Sequence, residues 1–409
     1  MKIKHYTLKS LVVLVASSLP GVLMAQNSAV IAGQDTTNRV ITTAVPFLTF
    51  SPDSRHAGMG DAGVATSPDA NSAHWNPAKF AFIEDDYGFA LSYTPWLGRF
   101  FNDMSISYLA GFKRIDNLST VAASLRYFDL GDIQLTDGGG NSLGEFNPRE
   151  IALDVTYSRA LSEALSIGLT GRFIHSNLSG SISASGNEGQ PGVSVAADLG
   201  IYYSKDVSFT GRASTLSWGA SISNIGSKIT YNSAENSDFI PTNLRVGSAL
   251  TTKLDARNKI TFALDLNKLM VPSTPIYARD EDGNIRTDAD GNRIVERGKN
   301  PDRGLLSGMF GSFGDAPDGF SEEIQEFMVA AGVEYWYNDV FAARAGYFYE
   351  NQQKGNRRYF TMGLGFRHKK LAFDFAYLVP QVQNHPLGET LRLTLGFNFS
   401  KIAATETAE

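Results

Sequence analysis

From Tyr87 onward the chain repeats a single pattern, strict alternation of apolar with small or polar residues. Tyr87, Phe89, Leu91 and Tyr93 alternate with Gly88, Ala90, Ser92 and Thr94. Met104, Ile106, Tyr108, Ala110 and Phe112 share one parity, as do Ile151, Leu153, Val155 and Tyr157, and then Ile260, Phe262, Leu264 and Leu266. The series ends on Phe360, Met362, Leu364 and Phe366, on Leu371, Phe373, Phe375, Tyr377 and Val379, and on Leu391, Leu393, Leu395, Phe397 and Phe399. A period of two sustained over about ten residues gives each strand one apolar and one polar face.

A soluble β-sandwich also alternates, so the polar parity decides. In mid-strand, Arg126, Asp154, Arg172, Asp198, Arg245, Asp265, Glu334, Arg344, Arg367, Asp374 and Arg392 stand opposite the apolar set. Around them the polar parity is mostly Gly, Ala, Ser and Thr. A water-washed sheet would be rich in Lys and Glu. A sparse set of both signs fits a crowded lumen in which buried charges must pair, while lipid-facing positions tolerate almost no charge. Connection lengths agree. Arg114–Asn117, Leu161–Ala164, Lys253–Asn258, Tyr337–Asp339 and His368–Lys370 are brief; Asp129–Pro148, Ser176–Pro191, Ile225–Pro241 and Lys268–Glu326 are long. This is the asymmetry of short periplasmic turns and long outer loops. The expected fold is all-β, a transmembrane antiparallel barrel of about fourteen strands. It occupies 87–400 with an extracellular insert at 268–326, and a short polar tail follows at 401–409.

The compartment follows from the first residues. Lys2, Lys4 and Lys9 precede an apolar run from Leu11 to Leu19, and Ala25 stands before Gln26. A cleaved signal peptide over 1–25 is expected, because the run is shorter than the ~20 residues of a spanning helix and is broken by Ser17, Ser18 and Pro20. The outer membrane is the expected location, with both termini periplasmic as an even strand count requires. The chain has no cysteine and a formal net charge of −6. Disulfides and thiolate metal sites are therefore excluded, and nucleic acid is an unfitting partner.

Several motifs reduce to plain structure. Asp280-Glu281-Asp282-Gly283-Asn284 and Asp288-Ala289-Asp290-Gly291-Asn292 lack the glycine and glutamate spacing of a calcium loop and read as turns. Gly58-Met59-Gly60-Asp61-Ala62-Gly63 fits G-x-G-x-x-G, yet no βαβ unit surrounds it, so close backbone packing in a narrow lumen is the better account. The histidines are scattered, and His175 beside Ser176 has no orienting partner in sequence. No catalytic residue, cofactor site or metal site is expected. Leu305–Phe313 and Phe320–Met328 place apolar residues on an outer loop, which points to an interaction surface or to self-packing over the barrel mouth.

Thr43–Phe82 is the most specific stretch. Pro46-Phe47-Leu48-Thr49-Phe50 leads to Ser51-Pro52-Asp53-Ser54-Arg55, the glycine-rich run with Gly58, Gly60, Asp61 and Gly63, and then Trp75-Asn76-Pro77-Ala78-Lys79-Phe80-Ala81-Phe82. This string resembles the PorV family of outer-membrane proteins of the type IX secretion system, within the broader long-chain fatty-acid transporter-like barrels. The resemblance implies a fourteen-stranded barrel whose amino-terminal segment, 26–86, folds into the lumen as a hatch. It implies a non-enzymatic role: engaging the giant translocon barrel, capturing the carboxy-terminal signal domain of cargo, and delivering cargo to an attachment complex with a sortase-like peptidase. Outer-membrane lipid is the remaining partner. A transporter of hydrophobic small molecules is the alternative reading, and an enzyme acting on lipopolysaccharide a third.

Overall fold

The computed structural model describes residues 39–98, 101, 103–136, 139–178, 190–231, 237–381 and 390–400. The expected signal peptide and the tail 401–409 lie outside the described residues. Fourteen strands close into one barrel, each antiparallel to its neighbours. In chain order they are β1 (Tyr87–Pro95), β2 (Ser105–Arg114), β3 (Ser119–Asp129), β6 (Arg149–Ala160), β7 (Leu165–Asn177), β8 (Gly192–Phe209) and β9 (Arg212–Gly226). The circuit continues through β10 (Asn243–Lys253), β11 (Asn258–Leu269), β14 (Phe327–Tyr337), β15 (Phe341–Tyr349), β16 (Arg358–His368), β17 (Leu371–Pro380) and β18 (Leu391–Phe399), which pairs with β1. Two small hairpins sit in connections: β4 (Ile133–Thr136) with β5 (Ser142–Phe146), and β12 (Ile276–Tyr277) with β13 (Val295–Arg297). Closure leaves no free sheet edge, the condition for burying strands in hydrocarbon.

Alternation sorts the side chains as the charges foretold. Leu153, Val155, Phe262, Leu264, Phe360, Met362 and Leu364 are exposed on the outer wall, whereas Asp154, Asp265 and Thr361 are buried inside. Strand β2 reverses the expected sense. Ile106, Tyr108, Ala110 and Phe112 point inward and are buried, while Leu109 and Lys113 point outward. Phe112 lies against Phe80 of the hatch, with ring centroids 6.0 Å apart. Periodicity identifies a face without saying what covers it, and a filled lumen can cover an apolar face as well as lipid can.

The hatch runs the length of that lumen. Its first described residue, Arg39, bonds the backbone of Gln353 in the long β15–β16 connection, and Ala44 donates to Phe239 O in the long β9–β10 connection. At its far end Asp86 bonds Phe399 O and accepts from Arg114 N, beside the short turns. Ser400 is at that same mouth, donating to Asp85 at 2.6 Å. Between the mouths lie two short helices, α1 (Ser54–Ala57) and α2 (Ser72–Trp75), and two 3-10 turns, Pro46–Thr49 and Pro77–Phe82.

Candidate functional site

The sequence signature builds the inside of the hatch. Asp53 caps α1, accepting from His56 N at 3.0 Å and His56 Nδ1 at 2.8 Å, and its other oxygen accepts from Trp75 Nε1 at 2.7 Å. Gly63 faces the Trp75 ring so closely that a Cβ would come within 2.4 Å of it. Asn76 begins the Pro77–Phe82 turn: its Oδ1 accepts from Ala78 N at 3.1 Å, and its Nδ2 donates to Val64 O and, across to the wall, Ile201 O. Pro77 suits the first position of that turn because its missing N–H would be unpaired there anyway. Phe47 and Pro52 are buried at the long-connection end, and Asp61 accepts from Tyr359 Oη at 2.6 Å.

The eleven lumen charges divide into two sets. One set pairs within the wall: Arg172 with Asp154 at 2.7 Å and Asp198 at 2.9 Å, Arg344 with Glu334 and Asp374 at 2.7 Å each, and Arg367 with Asp374 at 2.7 Å. The other set grips the hatch. Glu334 also binds Arg55 at 2.9 Å, Asp265 accepts from Gly63 N and Val64 N, and Arg392 stands 4.0 Å from Asp61. Arg126 donates to Phe47 O and Leu48 O at 2.9 Å each and to His74 Nδ1 at 2.8 Å, and Arg245 donates to His74 O at 3.0 Å. Pairing with carboxylates was the expectation; for Arg126 and Arg245 the partners are carbonyls and a histidine.

Sequence reasoning assigned no role to Arg55, His56, His74 or Lys79, which carry much of this network. Lys79 Nζ donates to Gly63 O at 2.9 Å and Thr66 Oγ1 at 3.0 Å. It also missed the wall glycines. A Cβ on Gly168, Gly200, Gly219, Gly332 or Gly346 would meet the hatch at 2.0–2.4 Å, at Ala78, Asn76, Val64, Met59 and Gly60 respectively. Glycine inside a strand signals close approach by another backbone, and all five fall on inward parity, so a signal existed. The hatch glycines answer them: Gly60, with φ +67, abuts the Tyr347 backbone, and Gly58 abuts Gly363. Among the described residues no strand precedes this run, so the strand–turn–helix context of dinucleotide binding is not found there.

The insert between β11 and β14 is a second locus. Its two acidic copies are hairpin turns, in which Asp280 Oδ1 accepts from Asn284 N and Asp288 Oδ1 from Asn292 N, both at 2.8 Å. Among the described residues no cluster of His, Asp or Glu could hold a metal ion. Two helices follow, α3 (Leu305–Gly311) and α4 (Phe320–Gln325). Their root is a buried ion cluster: Lys354 binds Glu322 at 2.6 Å and Glu326 at 2.9 Å, Lys268 binds Glu326 and Glu323, and Arg39 binds Glu322 and Asp318. Their outer faces are bare, with Phe310 66% and Phe320 79% exposed beside Leu306 and Ile324. Elsewhere, His175 lies on outward parity while Ser176 turns inward to Glu150 and Tyr231, so the two do not act together.

A sequence model described as "Type IX secretion system protein PorV" matches residues 33–276, which spans the hatch and the wall through β11. The chain belongs to the PorV family. The family stretch thus contains every hatch residue named above and seven of its neighbouring wall strands beyond β1 and β2, from β3 to β11. Among solved structures it is similar to the toluene transporter TbuX of Ralstonia pickettii, at 13% identity over 86% of this chain and 98% of that one, TM-score 0.45. It is similar also to the toluene transporter TodX of Pseudomonas putida (14%, 83% and 95%, TM-score 0.45) and to a FadL homologue of Pseudomonas aeruginosa (12%, 88% and 100%, TM-score 0.42). No curated protein matches the chain. Membership of the PorV family assigns the protein to type IX secretion and its barrel to the outer membrane.

Proposed function

We propose that this PorV-family barrel is a non-enzymatic, non-conducting receptor that binds the carboxy-terminal signal domain of cargo at the translocon and hands it to the attachment complex. The observation that carries the reading is the division between a lumen filled from mouth to mouth and an insert that leaves Leu306, Phe310, Phe320 and Ile324 bare. A filled lumen gives cargo no path through this barrel, so binding has to use its outer surfaces. Exposed aromatic and aliphatic side chains on a rooted support supply such a surface. In this reading the short turns face the periplasm and the insert faces the cell exterior. Ser400 then lies on the periplasmic side as expected of the carboxy-terminal end, whereas the hatch enters the lumen from the exterior mouth at Arg39, which departs from the expectation of two periplasmic ends.

The test replaces Phe310 and Phe320 with Asp in the full chain. Barrel assembly is expected to be unchanged, since both side chains are exposed. Co-purification of cargo is expected to fall by about tenfold or more, as loss of a buried aromatic anchor does at an interface. Undiminished cargo capture by the double variant would sink the assignment of this surface.

A further inference from the structure

The outer wall is not an even belt between β14 and β17. The register sets Tyr335, Ala343, Leu364 and Phe375 in one row, and Tyr337, Phe341, Phe366 and Phe373 in the next row toward the short turns. In the row on the other side, Val333, Ala345 and Met362 align. Strand β15 thus contributes only methyl groups at Ala343 and Ala345, between taller neighbours on both sides. The result is a groove of about 450 Å³ over Ala343 at the turn-ward end of β15, walled by Tyr335, Tyr337, Leu364 and Phe366, with Phe341 on its side toward the turns. Phe341 is braced there by the Phe366 ring, 5.3 Å away.

The turn beneath this groove is cationic. His368 stacks parallel to Phe366, with centroids 6.3 Å apart, and continues directly into Lys369 and Lys370, all three exposed. Lys370 Nζ rests 4.8 Å from the Phe399 ring. Of the acids near this turn, Asp339 is paired with Lys259 and Asp374 with Arg344 and Arg367, while Asp85, beside Phe399, accepts from Ser400. Among the described residues no carboxylate bridges Lys369 or Lys370. Past Phe341 the apolar lining gives way to the exposed Lys369 and to Lys370 on the Phe399 ring, and an apolar trough beside exposed ammonium groups has the two-part chemistry of an anionic lipid.

We propose that this face binds one anionic glycerophospholipid, with an acyl chain lying over Ala343 along β15 and the phosphate at Lys369 and Lys370. The proposal rests on the reading that the short turns lie at the periplasmic leaflet. Its test is made on purified protein and so fails or succeeds independently of secretion. The full chain is exchanged into mild detergent, offered phosphatidylglycerol or phosphatidylethanolamine with identical acyl chains, and weighed by native mass spectrometry.

The wild type is expected to retain one phosphatidylglycerol under activation that strips phosphatidylethanolamine. Ala343→Phe, which fills the groove, is expected to lower that occupancy by about tenfold, the loss for roughly two buried methylenes. Ala343→Leu gives a smaller loss and keeps the question open to measurement if the phenylalanine hinders folding, which heat-modifiable gel mobility reports. Lys369→Gln with Lys370→Gln is expected to bring phosphatidylglycerol down to the phosphatidylethanolamine level. Val155→Phe, on a distant part of the wall, is expected to change nothing. Equal retention of the two lipids by the wild type overturns the proposal, as does unchanged retention in both Ala343 variants. Loss of a co-purifying protein from Ala343→Phe with lipid retention intact overturns it too, and makes the groove a protein contact.

Discussion

The hatch and the insert both depend on buried ions, yet they use them in opposite ways. In the hatch the charges come from strands all around the wall, among them Arg126, Arg245, Asp265 and Glu334, and they meet the segment along its length. Glycines on both partners remove the remaining space. In the insert the ions gather at the root, around Glu322 and Glu326, and the far face is left apolar and bare. Distributed anchoring fixes a segment as filling; anchoring at one end holds out a surface. The two regions should therefore fail differently when an anchor is removed.

The largest effect is expected in the hatch. Glu334→Ala strands Arg55 and Arg344, both buried, without their shared carboxylate. Breaking a buried ion cluster on one side costs about 3–5 kcal/mol. Because Glu334 belongs to the wall and its partner to the hatch, the loss reaches the whole barrel. A lowered urea midpoint by heat-modifiable mobility is expected; a midpoint equal to wild type would show that the hatch is not part of the cooperative unit.

The insert sets a smaller ceiling. Glu326→Ala likewise removes the carboxylate shared by Lys268 and Lys354, both buried, leaving them Glu323 and Glu322 respectively. Here the root can open locally, so the measured loss is limited to the free energy of that opening. Limited proteolysis is expected to cut between β11 and β14 in the variant while the barrel midpoint moves by under about 1 kcal/mol. Global destabilisation matching that of Glu334→Ala would erase the distinction between the two regions.

The barrel could be read from the chain because lipid punishes charge so strongly that parity records it, at Asp154, Asp265 and Arg344 alike. The turns at Asp280 and Asp288 were readable for a local reason, since a side chain bonding its own backbone needs no distant partner. Strand β2 was misread because Ile106 and Phe112 are covered by the hatch, and alternation does not say what does the covering. Arg55 and Lys79 stood in the signature without a role for a related reason. Their partners, Glu334 in one case and Gly63 O with Thr66 in the other, are set by how the hatch folds in the lumen, and no spacing along the chain encodes that. The wall glycines were visible as interruptions of strand composition and could have been counted by parity.

The least disturbing change is the one that separates a fixed hatch from a moving one. Ser54 in α1 and Thr394 in β18 already touch, their hydroxyl oxygens 3.0 Å apart and Ser54 N donating to Thr394 Oγ1 at 2.9 Å. The natural chain has no cysteine, so Ser54→Cys with Thr394→Cys forms a single defined bridge in the oxidising periplasm. The bridge ties filling to wall near mid-barrel, where any small-molecule route through the lumen would need the hatch to yield. Secretion is expected to match wild type whether the bridge is oxidised or reduced, because the receptor reading asks nothing of the hatch but that it stay. Secretion that stops on oxidation and returns with reductant would mean that the hatch moves during transport, and the contrast between fixed filling and presented surface would not hold.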